Sequence, residues 1–283
     1  MDVELAEERI LILPETLSVE QSEGRAWAKR IEAYGTMAKL TGFLSRPDDA
    51  AFEVIYRERR LQPFWHIGCT AHYAYERAHD YRVPVGEHVT EVMVEGVPRP
   101  VTAGAYTIGG LERCREQVER EAWFDGISGA SDPTLAAYLK NATTPGDPAT
   151  LTAQTEAGVV VVPPQAKTSM LVRDVLASAI TRIEADTVTE ERMVVHHVDL
   201  VYRPIHAFRY RWQGKEAVVE VDAVTGLARA GGSTFEHYVG KVLDAEFLLN
   251  AGVEMAGLFI PGARLAEIVI SRSLKAGKAK LAH

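Results

Sequence analysis

Two histidines and two cysteines are the residues of this chain whose types and spacing could bind a metal. His66, Cys69 and His72 follow one another at intervals of three residues, and Cys114 is the only other cysteine in the sequence. Imidazole nitrogens and thiolates are ligands that zinc prefers, so the four side chains predict a two-His, two-Cys zinc site. A zinc-dependent or thiol enzyme is the function that such a site would indicate.

The secondary structure expected around these residues favours a different role. On a regular strand His66 and His72 share one face while Cys69 points to the other, and ~3.3 Å of rise per residue places the two imidazoles roughly 20 Å apart. A bulge or break at Gly68 is needed to bring them together. Cys69 continues the apolar face of its strand, and Cys114 falls on the apolar side of a predicted helix. Buried structural thiols, with no cofactor, are therefore the alternative interpretation.

A second polar group, His196, His197, Asp199 and His206, suggests acid–base chemistry or another metal. Adjacent strand residues point to opposite faces, so the two neighbouring histidines are not expected to act on one ligand. The sequence has no nucleophile elbow, no phosphate loop and no His-Glu-x-x-His helix. It therefore predicts no catalytic residue and favours a protein without enzymatic activity.

Composition limits the class of protein. The 283 residues are 47% hydrophobic and 25% charged, which is typical of globular material. A formal net charge of −8 argues against general nucleic-acid binding, which needs a basic surface. Without a secretory signal pattern or an apolar run long enough to span a membrane, and with two cysteines, the chain is expected in the cytoplasm.

A strand-and-turn unit that occurs twice predicts the architecture. In the first copy Pro63 stands in a strand and is followed later by the turn Asp125-Gly126-Ile127-Ser128-Gly129. In the second copy Pro204 is followed by Asp222-Ala223-Val224-Thr225-Gly226. The first Asp can bond amides two residues on, and the final Gly permits positive φ. We therefore expect equivalent strand positions for the prolines and one backbone path for both turns.

The predicted fold class is α+β, with two related helix-plus-antiparallel-sheet modules followed by a C-terminal helical segment. A capping box at Ser18 and Gln21 begins the first helix, and a second helix is predicted from Leu111 to Ala122. The modules span residues 1–130 and 163–232, with a linker region at 131–162 and the helical segment with a basic tail at 233–283.

The second copy resembles uncharacterised bacterial proteins that carry a PepSY-like strand module. The resemblance covers about residues 198–232, with a looser copy in the first half. It is carried by Tyr202, Pro204, Phe208 and Tyr210 in a strand, by the Gly214-Lys215 turn, and by Val221-Asp222 with Thr225-Gly226. It implies an α+β module and assigns no catalytic residue.

The sequence predicts an interaction surface in residues 246–283. Its apolar and basic side chains are Phe247, Leu248, Leu258, Phe259, Ile260, Leu265, Ile268, Arg272 and Lys275. Such a surface is expected to cover the chain's own sheet, to form an oligomer, or to bind an anionic membrane surface. The predicted function is a non-catalytic accessory or scaffold protein that binds a protein partner or itself. A zinc or thiol enzyme and a peripheral membrane protein are the alternatives.

Overall fold

A computed structural model describes residues 2–35 and 48–232 of the chain. Within them strand accounts for 52% and helix for 22% of the residues, and nine strands form one large mixed sheet. The predicted α+β fold with two helix-plus-antiparallel-sheet modules is therefore wrong, and the predicted C-terminal helical segment, residues 233–283, lies outside the described residues. Parallel pairs, such as β2 with β9, join the halves of the sequence in a way that the local patterns did not indicate.

The strands and helices have the following bounds. The strands are β1 (Asp2–Leu5), β2 (Glu8–Ile12), β3 (Glu53–Pro84), β4 (Glu91–Val94), β5 (Val97–Pro100), β6 (Ala105–Asp125), β7 (Thr144–Gly146), β8 (Val160–Val161), β9 (Thr187–Trp212), β10 (Lys215–Asp222) and β11 (Ala228–Ala230). The α-helices are α1 (Val19–Lys29), α2 (Pro148–Glu156) and α3 (Thr168–Ala179). Three 3-10 helices span Arg30–Tyr34, Asp49–Ala51 and Pro133–Lys140.

The helix predicted over Leu111 to Ala122 is instead part of β6. Its residues alternate between exposed and half-buried over Tyr106 to Arg115, which is the period of a strand. Glu and Arg favour helices when nothing else decides, and pairing with β3 overrides that preference here. The stretch predicted as a linker, residues 131–162, carries β7, α2 and β8.

Helix α1 begins as the sequence predicts. The Ser18 side chain accepts from the backbone of Gln21, and the Gln21 side chain accepts from the backbone N–H of Ser18, so the capping box is confirmed. Ala26 on this helix packs into a core cluster with Phe208 from β9 and Val221 from β10. Burial against those strands fixes the helix on the sheet.

A two-residue turn joins β9 to β10 as an antiparallel hairpin. Gln213 and Gly214 have φ of 49° and 73°, the left-handed pair of a two-residue type I′ turn. Arg211 lies opposite Glu216, and its Nη2 donates to Glu216 Oε1 at 2.9 Å.

The described chain divides into two compact units that are each built from separate stretches. The smaller unit comprises residues 2–5, 69–120 and 176–196, and the larger unit comprises residues 6–35, 48–68, 121–175 and 197–232. In the smaller unit Ala71 and Tyr73 of β3 and Met193 of β9 are buried. In the larger unit a second core cluster gathers Leu13, Phe64, Leu135, Tyr138, Val201 and Val224.

The two repeated turns, both in the larger unit, share one backbone path. Asp125 Oδ1 accepts from the amides of residues 127 and 128, and Asp222 Oδ1 accepts from those of residues 224 and 225. Gly129 and Gly226 have φ of 72° and 77°, and each donates to the carbonyl of its own aspartate. The equivalence predicted for the turns is confirmed.

The prolines of the two copies also occupy equivalent positions. Gly126 N donates to Pro63 O at 3.1 Å, and Ala223 N donates to Pro204 O at 3.0 Å. Each turn is therefore tied to its proline strand by the same backbone bond.

Each copy pairs with a strand that comes from the other half of the sequence. β2, from the first half, runs parallel to β9, and β8, from the second half, runs parallel to β3. The equivalent bonds at the ends of these strands join Leu13 N to Tyr202 O at 2.9 Å and Val162 N to Leu61 O at 3.0 Å. β2 of the first half thus pairs with the proline strand of the second half, and β8 of the second half pairs with that of the first. We call this arrangement the strand exchange, and it is why the halves do not form separate modules.

Candidate functional site

His66 lies in the larger unit with a carboxylate on each ring nitrogen. Its Nδ1 is 3.2 Å from Asp199 Oδ2, and its Nε2 is 2.6 Å from Glu121 Oε2. Only 10% of the side chain is exposed. We refer to His66, Asp199, Glu121, Arg9 and His197 as the His66 cluster.

Strand pairing places an arginine on the buried carboxylate of this cluster. Because β2 pairs in parallel with β9, Arg9 lies opposite Asp199. Arg9 Nε donates to Asp199 Oδ1 at 2.7 Å and Arg9 Nη2 donates to Oδ2 at 2.9 Å, which is the two-pronged geometry that suits a guanidinium. The same Nη2 lies 3.1 Å from His197 Nδ1, and since a guanidinium only donates, that nitrogen is the acceptor.

Aromatic contacts fix the plane of the His66 ring. It stacks on Trp123 with ring centres 5.5 Å apart and an interplanar angle of 12°, and on His197 at 5.2 Å and 28°. With the plane held in this way, both nitrogens stay directed at their carboxylates.

Gly68 provides the space in which the Glu121 carboxylate sits. A Cβ at this position would lie 2.5 Å from Glu121 Oε1, closer than any real contact. β3 runs through Gly68 without interruption, so the glycine does not serve as a break in the strand. His66 and Gly68, two residues apart, share the strand face that receives Glu121.

The contacts of the cluster favour a protonated imidazole at His66 and an ionised carboxylate at Asp199. Burial, the largest effect, lowers the pKa of His66, but the hydrogen bonds to Asp199 and Glu121 outweigh it and raise that pKa above its ordinary value of 6.5. For Asp199 burial raises the pKa, and the bonds from His66 and Arg9 outweigh it and lower that pKa below 3.8. Each charge is thus stabilised by its neighbours.

This arrangement suits a histidine that keeps its proton better than one that acts as a general base. A histidine that activates a nucleophile needs one nitrogen free to accept the proton, and both nitrogens of His66 are hydrogen-bonded to carboxylates. Glu121 is the solvent-facing end of the cluster, with 39% of its side chain exposed. A proton or a cation arriving from solvent would meet Glu121 first.

Glu121 and His197 are the cluster members that could hold a metal. Their ligand atoms lie within 4.8 Å of each other, and a carboxylate oxygen with an imidazole nitrogen suits zinc. Two protein ligands leave the remaining coordination positions of a tetrahedral ion to other groups.

A serine–histidine–glutamate arrangement elsewhere in the larger unit is buried. His206 Nδ1 lies 2.8 Å from Ser22 Oγ, and His206 Nε2 lies 3.5 Å from Glu15 Oε1. Interaction with His206 lowers the pKa of Glu15. Because Ser22 and His206 are 0% exposed, no substrate can reach the hydroxyl, and the arrangement connects α1 to β9 structurally.

The predicted zinc ligands lie on two strands. His66, Cys69 and His72 are in β3, where Cys69 is fully buried and His72 is half-buried, and Cys114 is half-buried in β6. Neither cysteine is in a disulfide. His66 already uses both nitrogens in the carboxylate contacts, and the four-ligand zinc site stays a prediction.

The predicted interaction residues between Phe247 and Lys275 lie outside the described residues, as does the whole segment 246–283. The protein–protein and membrane contacts expected there stay predictions.

Sequence reasoning identified His66 and Asp199 separately but not their contact. It missed Arg9 and Glu121 as site residues, because both lie in charged stretches that resemble ordinary solvated surface. The available signal was Gly68, an isolated glycine in a strand pattern, which often marks close approach of another group.

Comparison with known proteins identifies no relative. No family model matches the chain, and no curated protein or solved structure matches it. The PepSY-like resemblance stays a prediction. Across residues 2–35 and 48–232, no helix is both long and apolar enough to cross a membrane.

Proposed function

We propose that this protein is a non-catalytic binding protein that acts through protein–protein contacts made by its smaller unit. One observation carries the proposal. Of the ten large hydrophobic side chains that are exposed in the described residues, eight belong to the smaller unit: Leu5, Tyr81, Val89, Met93, Val97, Leu111, Ile180 and Val188. Exposed apolar side chains that are concentrated in one unit support a protein-binding role for that unit.

The hairpin of β4 and β5 supplies part of this surface. Met93 is 61% exposed and Val97 is half-exposed, and the strands pair around a turn at Glu95 and Gly96 with φ of 50° and 79°. A flexible methionine adapts to the shape of a partner, which makes it common at binding surfaces.

The polar clusters support binding over catalysis. His66 has both nitrogens bound to carboxylates, and the hydroxyl of Ser22 is fully buried. Neither histidine system offers the accessible base and nucleophile that covalent catalysis requires.

Site-specific photo-crosslinking in the native cell tests the proposal. A benzophenone amino acid at Met93 or Leu111 is expected to give a discrete cross-linked protein product. The matched controls are Met170 and Leu227, which are also exposed and apolar but belong to the larger unit. Equal labelling from all four positions, or no product from Met93 and Leu111, would show that the smaller unit is not the binding surface.

A further inference from the structure

The hairpin of β4 and β5 in the smaller unit has one exposed face. Its register places Met93 opposite Pro98 and Glu91 opposite Pro100, and residues opposite each other on paired strands share a face. All four are exposed, whereas Val92 on the other face is half-buried. We call Glu91, Met93, Pro98 and Pro100 the hairpin face.

The two prolines decide how a partner can bind this hairpin. Both residues of its two-residue turn have positive φ, so Val94 and Val97 beside the turn form a hydrogen-bonded pair. Hydrogen-bonded and non-hydrogen-bonded pairs alternate, so the backbone groups of Pro98 and Pro100 point away from β4. Neither nitrogen has a hydrogen to donate. An added strand therefore cannot form a complete ladder on β5, and binding here depends on the side chains of the hairpin face.

Acidic and apolar side chains alternate along this part of the chain. The residues at every second position are, in order, Glu87, Val89, Glu91, Met93, Glu95 and Val97. All six are exposed. Arg99 is the only lysine or arginine between residues 83 and 111, and it is half-buried. The hairpin therefore presents a carboxylate on each side of an exposed methionine.

We propose that the hairpin face binds a segment of another protein in which lysine or arginine residues flank an apolar side chain. Met93, which is 61% exposed, supplies the apolar contact. Glu91 and Glu95, each two residues from it, pair with the bases on either side. Complementary charge around an apolar centre gives such an interface its choice of partner. This inference rests on the proposed binding function and specifies the chemistry of the partner.

Photo-crosslinking from position 93 of the full chain tests the charge of the partner. A benzophenone amino acid at Met93 is expected to label another protein in the native cell, and mass spectrometry of the labelled peptide should find more lysine and arginine than aspartate and glutamate. Glu91→Lys and Glu95→Lys each replace an attraction by a repulsion and should each reduce the yield roughly fivefold. Glu91→Asp keeps the charge and should retain the product. Circular dichroism of each variant establishes that the fold is retained.

Glu156→Lys is the matched control, because it makes the same change of net charge at an exposed position of the larger unit. Equal losses from Glu91→Lys and Glu156→Lys would indicate general charge attraction and overturn the proposal. A labelled peptide that is not basic, or one that comes from residues 264–283 of the chain itself, would overturn it as well. In each of these cases a discrete product with another protein from Met93 or Leu111 leaves the proposed function standing, and the absence of such a product from both positions ends both.

Discussion

At the scale of single residues, His66 illustrates how a buried charge can be accommodated by its neighbours. The imidazole lies between Asp199 and Glu121, and Arg9 compensates the second negative charge. Removing one member of such a set leaves another charge buried without compensation, which costs more than the interaction itself contributes.

Asp199→Asn should therefore destabilise the protein by about 2–4 kcal/mol in urea denaturation at pH 7. Because one carboxylate partner is lost, the pKa of His66 should also fall, which a proton NMR titration of its ring would detect. Glu87→Gln, at an exposed acid of the smaller unit, provides the control for loss of one negative charge. A variant with unchanged stability and an unchanged His66 pKa would contradict the assigned contacts.

The pKa shifts of His66 and Asp199 determine how the cluster's contribution to stability depends on pH. His66 has a raised pKa in the folded state, so its stabilising contribution is complete below pH 6.5 and is lost as pH rises through the folded value. Asp199 has a lowered pKa, so its contribution is present above pH 3.8 and is lost as pH falls through the folded value. The Asp199→Asn variant should accordingly show its largest loss of stability between these limits.

For Glu8 we expect stability to change with pH in the direction opposite to that of Asp199. Burial raises its pKa to about 7, and its Oε1 is buried with no hydrogen-bond partner among the described residues. The folded state therefore holds the proton more tightly than the unfolded state, and stability falls as pH rises from about 4.5 to 7.

Glu8→Gln should raise the free energy of unfolding by about 1–3 kcal/mol at pH 8 and change it little at pH 4. Urea denaturation at the two pH values measures the difference. Glu7→Gln, at the exposed neighbouring position, is the matched control. Equal effects of Glu8→Gln at both pH values would show that the Glu8 carboxylate is not desolvated.

At the scale of elements, the repeated turns were predictable and the long strands were not. The Asp-x-x-(Ser/Thr)-Gly pattern is sufficient to predict its turn, because the aspartate and the glycine determine the turn locally. By contrast, residues 111–122 form a strand because β3 lies beside them, and no residue within that stretch encodes the pairing. The same limit hid the His66 cluster, since Arg9 and Asp199 are 190 residues apart.

Gly226 tests the contribution of one turn. Its φ is 77°, and a Cβ there would lie 1.8 Å from Arg25 Nη1, which now donates to Gly226 O at 2.8 Å. Gly226→Ala should cost about 1–2 kcal/mol for the left-handed backbone and about 1 kcal/mol more for the displaced arginine.

Gly158→Ala is the control for this prediction, because φ is 81° and the space around the new Cβ is open. Thermal or urea unfolding of both variants separates the two costs. Equal destabilisation would mean that Arg25 adapts without loss.

At the scale of the whole molecule, the exchanged strands make each half depend on the other. β2 pairs with β9, and β8 pairs with β3. We predict that residues 1–157 and 158–283, expressed separately, remain unfolded or aggregate, because each lacks the strand that completes its copy. Expressed together, the two pieces should assemble and co-purify with the circular dichroism spectrum of the intact chain.

The division lies at Gly158, after the end of α2 and before β8, so the cut falls within no named helix or strand. A useful comparison divides the chain between Gln213 and Gly214 in the turn of the β9 and β10 hairpin, which leaves both exchanged pairs, β2 with β9 and β8 with β3, within one piece. If residues 1–157 fold alone to a stable monomer, the exchange is not required for folding.

The pairing of β2 with β9 also determines how long β2 lacks its neighbouring strand while the chain is being synthesised. β2 leaves the ribosome long before β9, since 190 residues separate Arg9 from Asp199. At ~5–20 residues per second, the first strand waits roughly 10 to 40 s for its neighbour, far longer than the microseconds in which a local hairpin closes. During that interval Ile10 and Ile12, apolar side chains of β2, have no β9 to pair with. Nascent chains of this protein should therefore depend on a holding chaperone until residue 202 has emerged.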